Sequence, residues 1–420
     1  MNIINKSDSY IIANKQNTIN IENSCKDSFN LMEKAGKLAA KNIDSLYTKR
    51  KTLILCGIGG NGGDGFIIAQ ELANKGWDIV TTIVGDQKVI KGDALKALNK
   101  LKLKLLNFND INLDKTKLFI DAIYGIGLSR KINKKECIIL NTINNHTAPI
   151  IAIDIPSGVD CNNGQILGFA PFCDLTITFS TLKAGHILLP GSEKINKIKV
   201  VDIGISKDII NKIEPNIKIN NKNQWVKEIN WPKIDDHKYS RGYSLVVGGS
   251  KKMTGASRLA AISAQRAGSG IVALASEKEA EEIYFNTLTS QLVKSYKNIK
   301  EYNAIINESR IDSIVIGPGL DISTKSILKI KSALKTNKRI VLDAGAISCF
   351  KDKLGILIKA LSGKDAIITP HEGELKSILP NLSGSLISKA LKAAKILDTI
   401  VVLKGATTVI ASPNNEALVN

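Results

Sequence analysis

Short runs of β-branched and other apolar residues, apolar at nearly every position, alternate with helix-like stretches along the whole chain, and this pattern narrows the fold most. A strand that is apolar on both faces has no side to offer to water, so it belongs in a parallel sheet covered by helices. The first half offers Thr52–Cys56 (TLILC) and residues 78–84 (DIVTTIV), 117–121 (KLFID), 149–153 (PIIAI), 174–179 (DLTITF) and 198–202 (IKVVD). Residues 27–42, with Phe29, Leu31, Met32, Ala35, Leu38 and Ala39, read as a helix packing on that sheet. Between residues 204 and 236 the alternation fails in a polar stretch rich in Asn and Lys. It restarts with Tyr243–Val247 and residues 271–275, 313–317, 339–343, 365–369 and 399–403. A chain of 420 residues is too long for one ordinary core. The expectation is an α/β protein of two domains, 1–215 and 216–420, with no short internal repeat.

Composition excludes more than it selects. No run of about 18 apolar residues is present, and the first 20 residues lack the apolar core of a signal peptide, which reads as a cytoplasmic protein with no membrane partner. The six cysteines are scattered without a C-x-x-C pair, a pattern that supports neither a disulfide framework nor a zinc site. A formal charge of +19 invites a nucleic-acid reading, but the lysines are spread over the whole chain and aromatic content is only 5%. Phosphate-binding faces for nucleic acid are concentrated instead, so none is expected. A basic protein handling an anionic small molecule fits the same charge.

The segment CGIGGNGGDG, residues 56–65, follows a strand and precedes a helix read over residues 66–74. Gly57, Gly59 and Gly62 have the spacing G-x-G-x-x-G, which lets the backbone approach a phosphate at a helix N-terminus. With Asp86 after the second strand as a ribose partner, this would be the fingerprint of an NAD-dependent oxidoreductase. That reading leaves Asn61 and Asp64 idle. Two further strand-end loops bear on it: DAIYGIGLSR, residues 121–130, and DIPSGVD, residues 154–160. An Asp at a strand end is commonly a helix cap. Three such loops on one sheet edge, where ligands of parallel α/β sheets bind, together offer oxygen ligands from Asn61, Asp121 and Ser157 and a carboxylate from Asp154.

These three loops in this order, with MEKAG at residues 32–36 and TFSTLKAG at residues 178–185, resemble the epimerase domain of the NAD(P)H-hydrate repair enzymes over nearly all of residues 25–205. The resemblance implies a Rossmann-like three-layer αβα domain that interconverts the R and S epimers of hydrated NADH and NADPH. It implies a potassium ion held by Asn61, Asp121 and Ser157. Substrate contacts would come from Gly60, Asn61, Gly62, Gly63, Asp64, Gly125, Ile126, Gly127, Leu128, Ser129, Arg130, Lys131 and Asp154. The family usually reads N-N-G-G-D where this chain has Gly60 for the first Asn, a change expected to alter only a substrate contact. The hydrate is a hemiaminal whose ring nitrogen can expel the hydroxyl, with re-addition on the other face; Asp154 is the expected proton shuttle.

The second half carries IGPGL (316–320), VLDAGA (341–346), ITPHEGE (368–374) and VLKGATTVI (402–410). Gly and Pro at strand ends are usually turns, and a His beside Pro is often a plain surface residue. From about His237 onward the motifs in sequence resemble the ADP-dependent NAD(P)H-hydrate dehydratase domain, which implies a ribokinase-like αβα fold with a mostly parallel sheet. By that resemblance Ala256, Gly319 and His371 contact the hydrate, and Lys404, Gly405, Ala406, Thr407 and Thr408 contact ADP or ATP with Mg2+. Phosphorylation of the ring hydroxyl, then loss of phosphate, would restore the dihydropyridine. A homo-oligomer is expected. Asp321 stands where the family has Gly, and DAGAIS replaces D-A-D-A-L-N. The family's G-x-G-D segment, which supplies an anion cradle and a base, is not reached before NNEALVN at residues 414–420. The reading we favour is a fragment of a longer protein; the alternative is an epimerase with an inactive nucleotide-binding second half.

Overall fold

The computed structural model describes residues 2–3 and 11–420. It divides into two units, Met1–Asn221 and Lys222–Asn420. The change of unit thus falls inside the polar stretch, a few residues beyond the position expected from composition.

In the first unit the chain forms β1 (Asn2–Ile3), β2 (Ile12–Ala13), β3 (Thr52–Cys56), β4 (Ile79–Ile83), β5 (Leu118–Ala122), β6 (Ile150–Ile153), β7 (Cys173–Phe179), β8 (Leu182–Lys183), β9 (Ile195–Val201) and β10 (Asn216–Ile219). Seven of these make one sheet in the order β1-β9-β7-β6-β5-β3-β4, parallel throughout, and β2 pairs with β8 apart from it. The continuous apolar runs have the expected cause: every residue of β3, β5 and β6 is buried. Ile54 and Cys56 face a core shared with Ala35, Ala39, Ile43, Phe66 and Ile68, while Leu53 and Leu55 face another shared with Phe119, Leu140 and Ile143. Helices therefore cover both faces, giving three layers.

The helix after β3 starts at Gly60, not at residue 66, and runs to Asn74. Glycine propensity argues against a helix there. Tertiary packing overrides it, because a Cβ on Gly63 would stand 2.7 Å from Met32 Sδ and one on Gly65 2.8 Å from Cys56 Sγ. Successive strands run to one side of β3 and then to the other, so the order reverses between β3 and β5. Such a switch point leaves a crevice at the strands' C-terminal ends.

The second unit repeats the architecture with β11 (Tyr243–Val247), β12 (Ile271–Glu277), β13 (Leu292–Tyr296), β14 (Ser313–Ile316), β15 (Arg339–Leu342), β16 (Ala366–Ile368), β17 (Ile400–Leu403), β18 (Val409–Ala411) and β19 (Glu416–Val419). Their order is β13-β12-β11-β14-β15-β16-β17-β18-β19. β11 to β17 are parallel, and β18 and β19 add on antiparallel. Here the order reverses between β11 and β14. The strands β13, β18 and β19 were not expected. β13 is an edge strand with only Tyr296 fully buried, so its polar residues hide the pattern.

Candidate functional site

Glycine spacing after β3 makes the first site possible. A Cβ on Gly57 would fall 2.0 Å from the Ile123 carbonyl oxygen, and one on Gly62 would fall 1.9 Å from the Gly57 oxygen. The turn after β3, the first helical turn and the loop after β5 are therefore pressed backbone to backbone. This contact exposes Asn61 to the loop after β5: an ideal Cβ on Gly125 would lie 3.3 Å from Asn61 Oδ1 and 3.1 Å from Asp154 Oδ2. Three strand-end loops meet at that glycine.

A cavity of about 500 Å³ opens there, with Gly60, Asn61, Asp64, Gly125, Ile126 and Asp154 in its wall. Gly127 and Leu128 also line it, together with Glu22, Met32 and Tyr124, to which the sequence reading gave no site role. Gly62 and Gly63 are used otherwise: both are spent on close packing, against Gly57 and against Met32. Ser129, Arg130 and Lys131 stand outside the lining. Arg130 is exposed and reaches over Tyr124, whose hydroxyl it meets at 3.2 Å.

Asp121 and Ser157 lie under the loop. Ser157 donates from its hydroxyl to Asp121 Oδ1 (2.6 Å) and from its backbone N–H to Oδ2 (2.8 Å), and its Oγ accepts from the Tyr124 N–H (2.9 Å). Tyr124 precedes Gly125, so Asn61 and the Asp121–Ser157 pair flank one short segment. Burial pushes the Asp121 carboxyl up to about 6 against the opposing pull of the Ser157 and Ile123 hydrogen bonds. Both polar atoms of the Asn61 amide are buried with no hydrogen-bond partner among the described residues. A buried polar group in that state is costly, and an oxygen-binding cation is one way to satisfy it.

Asp154 sits at the end of β6 with φ of +65°. Its Oδ1 accepts from Lys183 Nζ (2.6 Å) and Thr178 Oγ1 (3.0 Å). Lys183 is only 1% exposed. Burial pushes the Asp154 carboxyl up, but the charge and hydrogen bond of Lys183 outweigh it and hold the group below the ordinary aspartate range. Asp64 has the opposite environment: burial, then the charges of Asp154 and Glu22, raise it well above that range. One wall thus carries one carboxyl held below the ordinary aspartate range and one pushed well above it. The sequence signal for Lys183 was the TFSTLKAG motif, in which a lysine precedes two small residues.

In the second unit the singled-out residues again fall at strand ends. Ala256 opens the helix Gly255–Arg266 after β11, and Gly319 follows β14 with φ of +75°. A Cβ on Gly319 would lie 2.1 Å from the Met253 oxygen, and one on Gly249 2.4 Å from the Gly319 oxygen, so the two turns interlock. His371 caps the helix Glu372–Ile378, its Nδ1 accepting from the N–H of Gly373 (3.0 Å) and Glu374 (3.3 Å), and its ring is largely exposed. It bridges to Lys404, whose Nζ reaches Asp343 Oδ1 at 2.6 Å. Thr369 donates to the same oxygen at 2.8 Å. Gly405 and Ala406 are exposed, Thr407 is buried, and Thr408 Oγ1 donates to the Gly405 oxygen at 3.2 Å. Within DAGAIS the backbone is packed closely, since a Cβ on Gly345 would stand 2.2 Å from the Leu320 oxygen. A larger, open cavity of about 1370 Å³ lies at the other edge of this sheet, beside Gly242, Asp312 and Arg339, and holds none of these residues.

Known proteins fit both halves. The YjeF-related protein N-terminus family profile matches residues 28–185, and the NAD(P)H-hydrate dehydratase profile matches residues 244–420. The bifunctional NAD(P)H-hydrate repair enzyme Nnr of Dictyoglomus turgidum is 33% identical over 393 residues, covering 88% of this chain and 75% of the relative. The chain belongs to the bifunctional NAD(P)H-hydrate repair enzyme family. A second family member, from Moorella thermoacetica, is 28% identical and covers 93% of this chain and 78% of its own length. Among solved structures, the ADP/ATP-dependent NAD(P)H-hydrate dehydratase of Bacillus subtilis, co-crystallised with ATP and Mg2+, is 26% identical with a TM-score of 0.39, covering 47% of this chain and 71% of that one. No helix among the described residues is long and apolar enough to cross a membrane.

Proposed function

We propose that the chain repairs hydrated nicotinamide nucleotides: residues 1–215 epimerise the R and S hydrates of NADH and NADPH, and residues 216–420 dehydrate the S form at the expense of ADP or ATP. The observation that carries the first activity is the meeting of Asn61, Gly125 and Asp154 on one cavity wall whose two carboxyls, Asp154 and Asp64, are shifted in opposite directions.

The reaction needs a proton given and a proton taken. The ring nitrogen pushes out the hydroxyl as Asp64, the carboxyl that burial and neighbouring charge push up, donates to it; the C–O bond breaks and water leaves an iminium ion. Water then adds to the opposite face while Asp154, ionised at rest, takes its proton, and the C–O bond forms with inverted configuration. Carboxyls whose environments push them apart suit this division of labour. After one turnover the two have exchanged states, which suits the reverse direction.

The buried oxygens of Asn61, Asp121 and Ser157 would hold a potassium ion, and the orphaned Asn61 amide is what favours a ligand there. Such an ion supplies positive charge beside the substrate and fixes the loop after β5. In the second unit Ala256, Gly319 and His371 would meet the hydrate, and Lys404, Gly405, Ala406, Thr407 and Thr408 the adenine nucleotide. These residues stand at the C-terminal ends of β11, β14, β16 and β17. Asp343 is the carboxylate on that edge suited to a Mg2+ that accompanies the nucleotide. The ring hydroxyl would receive a phosphoryl group, and the ester would then leave as phosphate as the neighbouring ring carbon loses a proton and the double bond forms.

The test follows R/S exchange of a single hydrate epimer by chromatography, with and without K+, and recovery of NADH absorbance on adding ADP. Exchange without any nicotinamide redox turnover is the expected result. An absence of exchange under all conditions overturns the epimerase assignment.

A further inference from the structure

The segment Lys183–His186 lies behind Asp154 and touches it twice. Lys183 Nζ grips the carboxylate at Oδ1 (2.6 Å) and is itself held by Thr178 Oγ1 (2.7 Å) and the Phe179 oxygen (3.3 Å). His186 grips the backbone of the same residue, Nε2 lying 2.8 Å from the Asp154 carbonyl oxygen. The tautomer follows from the other nitrogen: Nδ1 accepts from the Lys183 N–H (3.1 Å), so Nε2 carries the proton and donates. Both residues are at most 1% exposed, and Gly185 between them leaves room for no side chain, since a Cβ there would stand 2.5 Å from the Asp160 oxygen.

We propose that Lys183 and His186 act as one clamp of positioning residues, holding Asp154 in its left-handed backbone conformation with Oδ1 neutralised and Oδ2 presented to the cavity. This deepens the epimerase reading and rests on it. The non-glycine φ of +65° is a conformation that costs energy and persists only where surroundings impose it. The His186 hydrogen bond to the carbonyl and the Asp154 N–H donation to the Ile177 oxygen (2.7 Å) impose it here. With one oxygen tied to the ammonium, the other faces Gly125. The charged and titratable groups around this carboxylate are accounted for. Glu22 faces it from the helix Lys15–Asn23 and Asp64 from the helix Gly60–Asn74, Cys161 from the loop after β6, and Lys15 is tied to the Gly127 oxygen at the rim (3.2 Å). His186 is held neutral, burial and then the Lys183 charge bringing it down to about 3. Lys183 is therefore the cation in contact with Asp154.

Lys183→Met keeps an unbranched side chain, one heavy atom shorter, and removes its charge. The expected result is a kcat for R/S exchange lower by about 100-fold, KM for the hydrate within about threefold, and the acid limb of the pH–rate profile moved up by about two units, the size of shift a nearby cation controls. A folded K183M with kcat within threefold and an unmoved acid limb overturns the proposal. A merely structural lysine would lower the folded fraction and leave that limb in place. Should K183M not fold, Thr178→Val removes one hydrogen bond from the same oxygen; an upward shift of the limb supports the clamp and an unmoved limb overturns it. His186→Gln, which keeps an N–H donor, should retain more of kcat than His186→Leu, and equal losses remove His186 from the clamp. If the unmodified protein exchanges no epimers, the epimerase reading fails separately. The clamp is then judged by melting: D154N/K183M should melt above K183M, because the lone buried carboxylate is gone, and a double variant that melts no higher overturns it.

Discussion

The two units place their candidate residues at the same geographic spot, the C-terminal ends of parallel strands beside a reversal of strand order, yet they equip it differently. The first gathers Asn61, Asp64 and Asp154 on a cavity wall and backs them with buried polar partners: Lys183 on Asp154, Ser157 on Asp121 beneath the loop, and an Asp64 pushed well above the ordinary aspartate range. The second spreads Ala256, Gly319, His371 and Lys404 along an open edge whose ion pair, Lys404 with Asp343, is partly solvated. The first removes and returns a hydroxyl at one ring carbon, with protons passing to and from its oxygen, so it needs carboxyls whose proton affinities are set apart before substrate arrives. The second would pass a phosphoryl group, for which alignment and exchangeable charge matter more.

The largest effect should come from Asp154→Asn, which leaves the shape and removes the base: epimer exchange falls by about 1,000-fold while the hydrate's Kd, measured by calorimetry, stays within a few-fold. A near-normal rate would erase the contrast between the units. Asp64→Asn comes next, with a loss of about 100-fold. It should also change the pH profile. On the proposed mechanism exchange needs Asp154 ionised and Asp64 protonated, so the rate should fall on the acid side as Asp154 takes up a proton and on the alkaline side as Asp64 loses one. The variant should lack the alkaline fall.

Lys404→Met should weaken ADP or ATP binding by about 10-fold or more, as loss of a charge-assisted contact does, and leave epimer exchange untouched; a change in exchange would mean that the sites are not independent. Asn61→Ala should slow exchange by about 10-fold and raise the potassium concentration needed for half-maximal rate, the range seen when a metal's surroundings are altered. The smallest effect belongs to Gly60→Asn, which restores the residue usual in the family. No heavy atom lies within 4 Å of its Cβ position, so exchange should change by less than about threefold and the melting temperature hardly at all.

Much of this arrangement could be read from residues alone, for identifiable reasons. TLILC and its counterparts announced themselves because strands buried on both faces have no polar alternation to dilute them. Gly57, Asp121 and Asp154 stood out because a parallel sheet puts ligands at strand ends. The helix start at Gly60 was hidden, since four glycines in the first six residues contradict local propensity, and only contacts distant in the chain, Met32 against Gly63 and Cys56 and Ala122 against Gly65, account for two of them. β13 was hidden by its exposed edge. Lys183 and His186 were passed over because a lysine reads as a surface residue. Its burial exists only when Asp154, Thr178 and Phe179, up to 29 residues away in the chain, close around it.

The interlocked turns of Gly249 and Gly319 have a consequence for descent as well as for shape. Each occupies space the other's side chain would need, so neither position can drift without the other's loop giving way. Selection for a new ligand in the second unit must therefore work through residues on the flanks of that knot, such as Ala256 and Asp321, while the knot itself passes unchanged from one generation to the next.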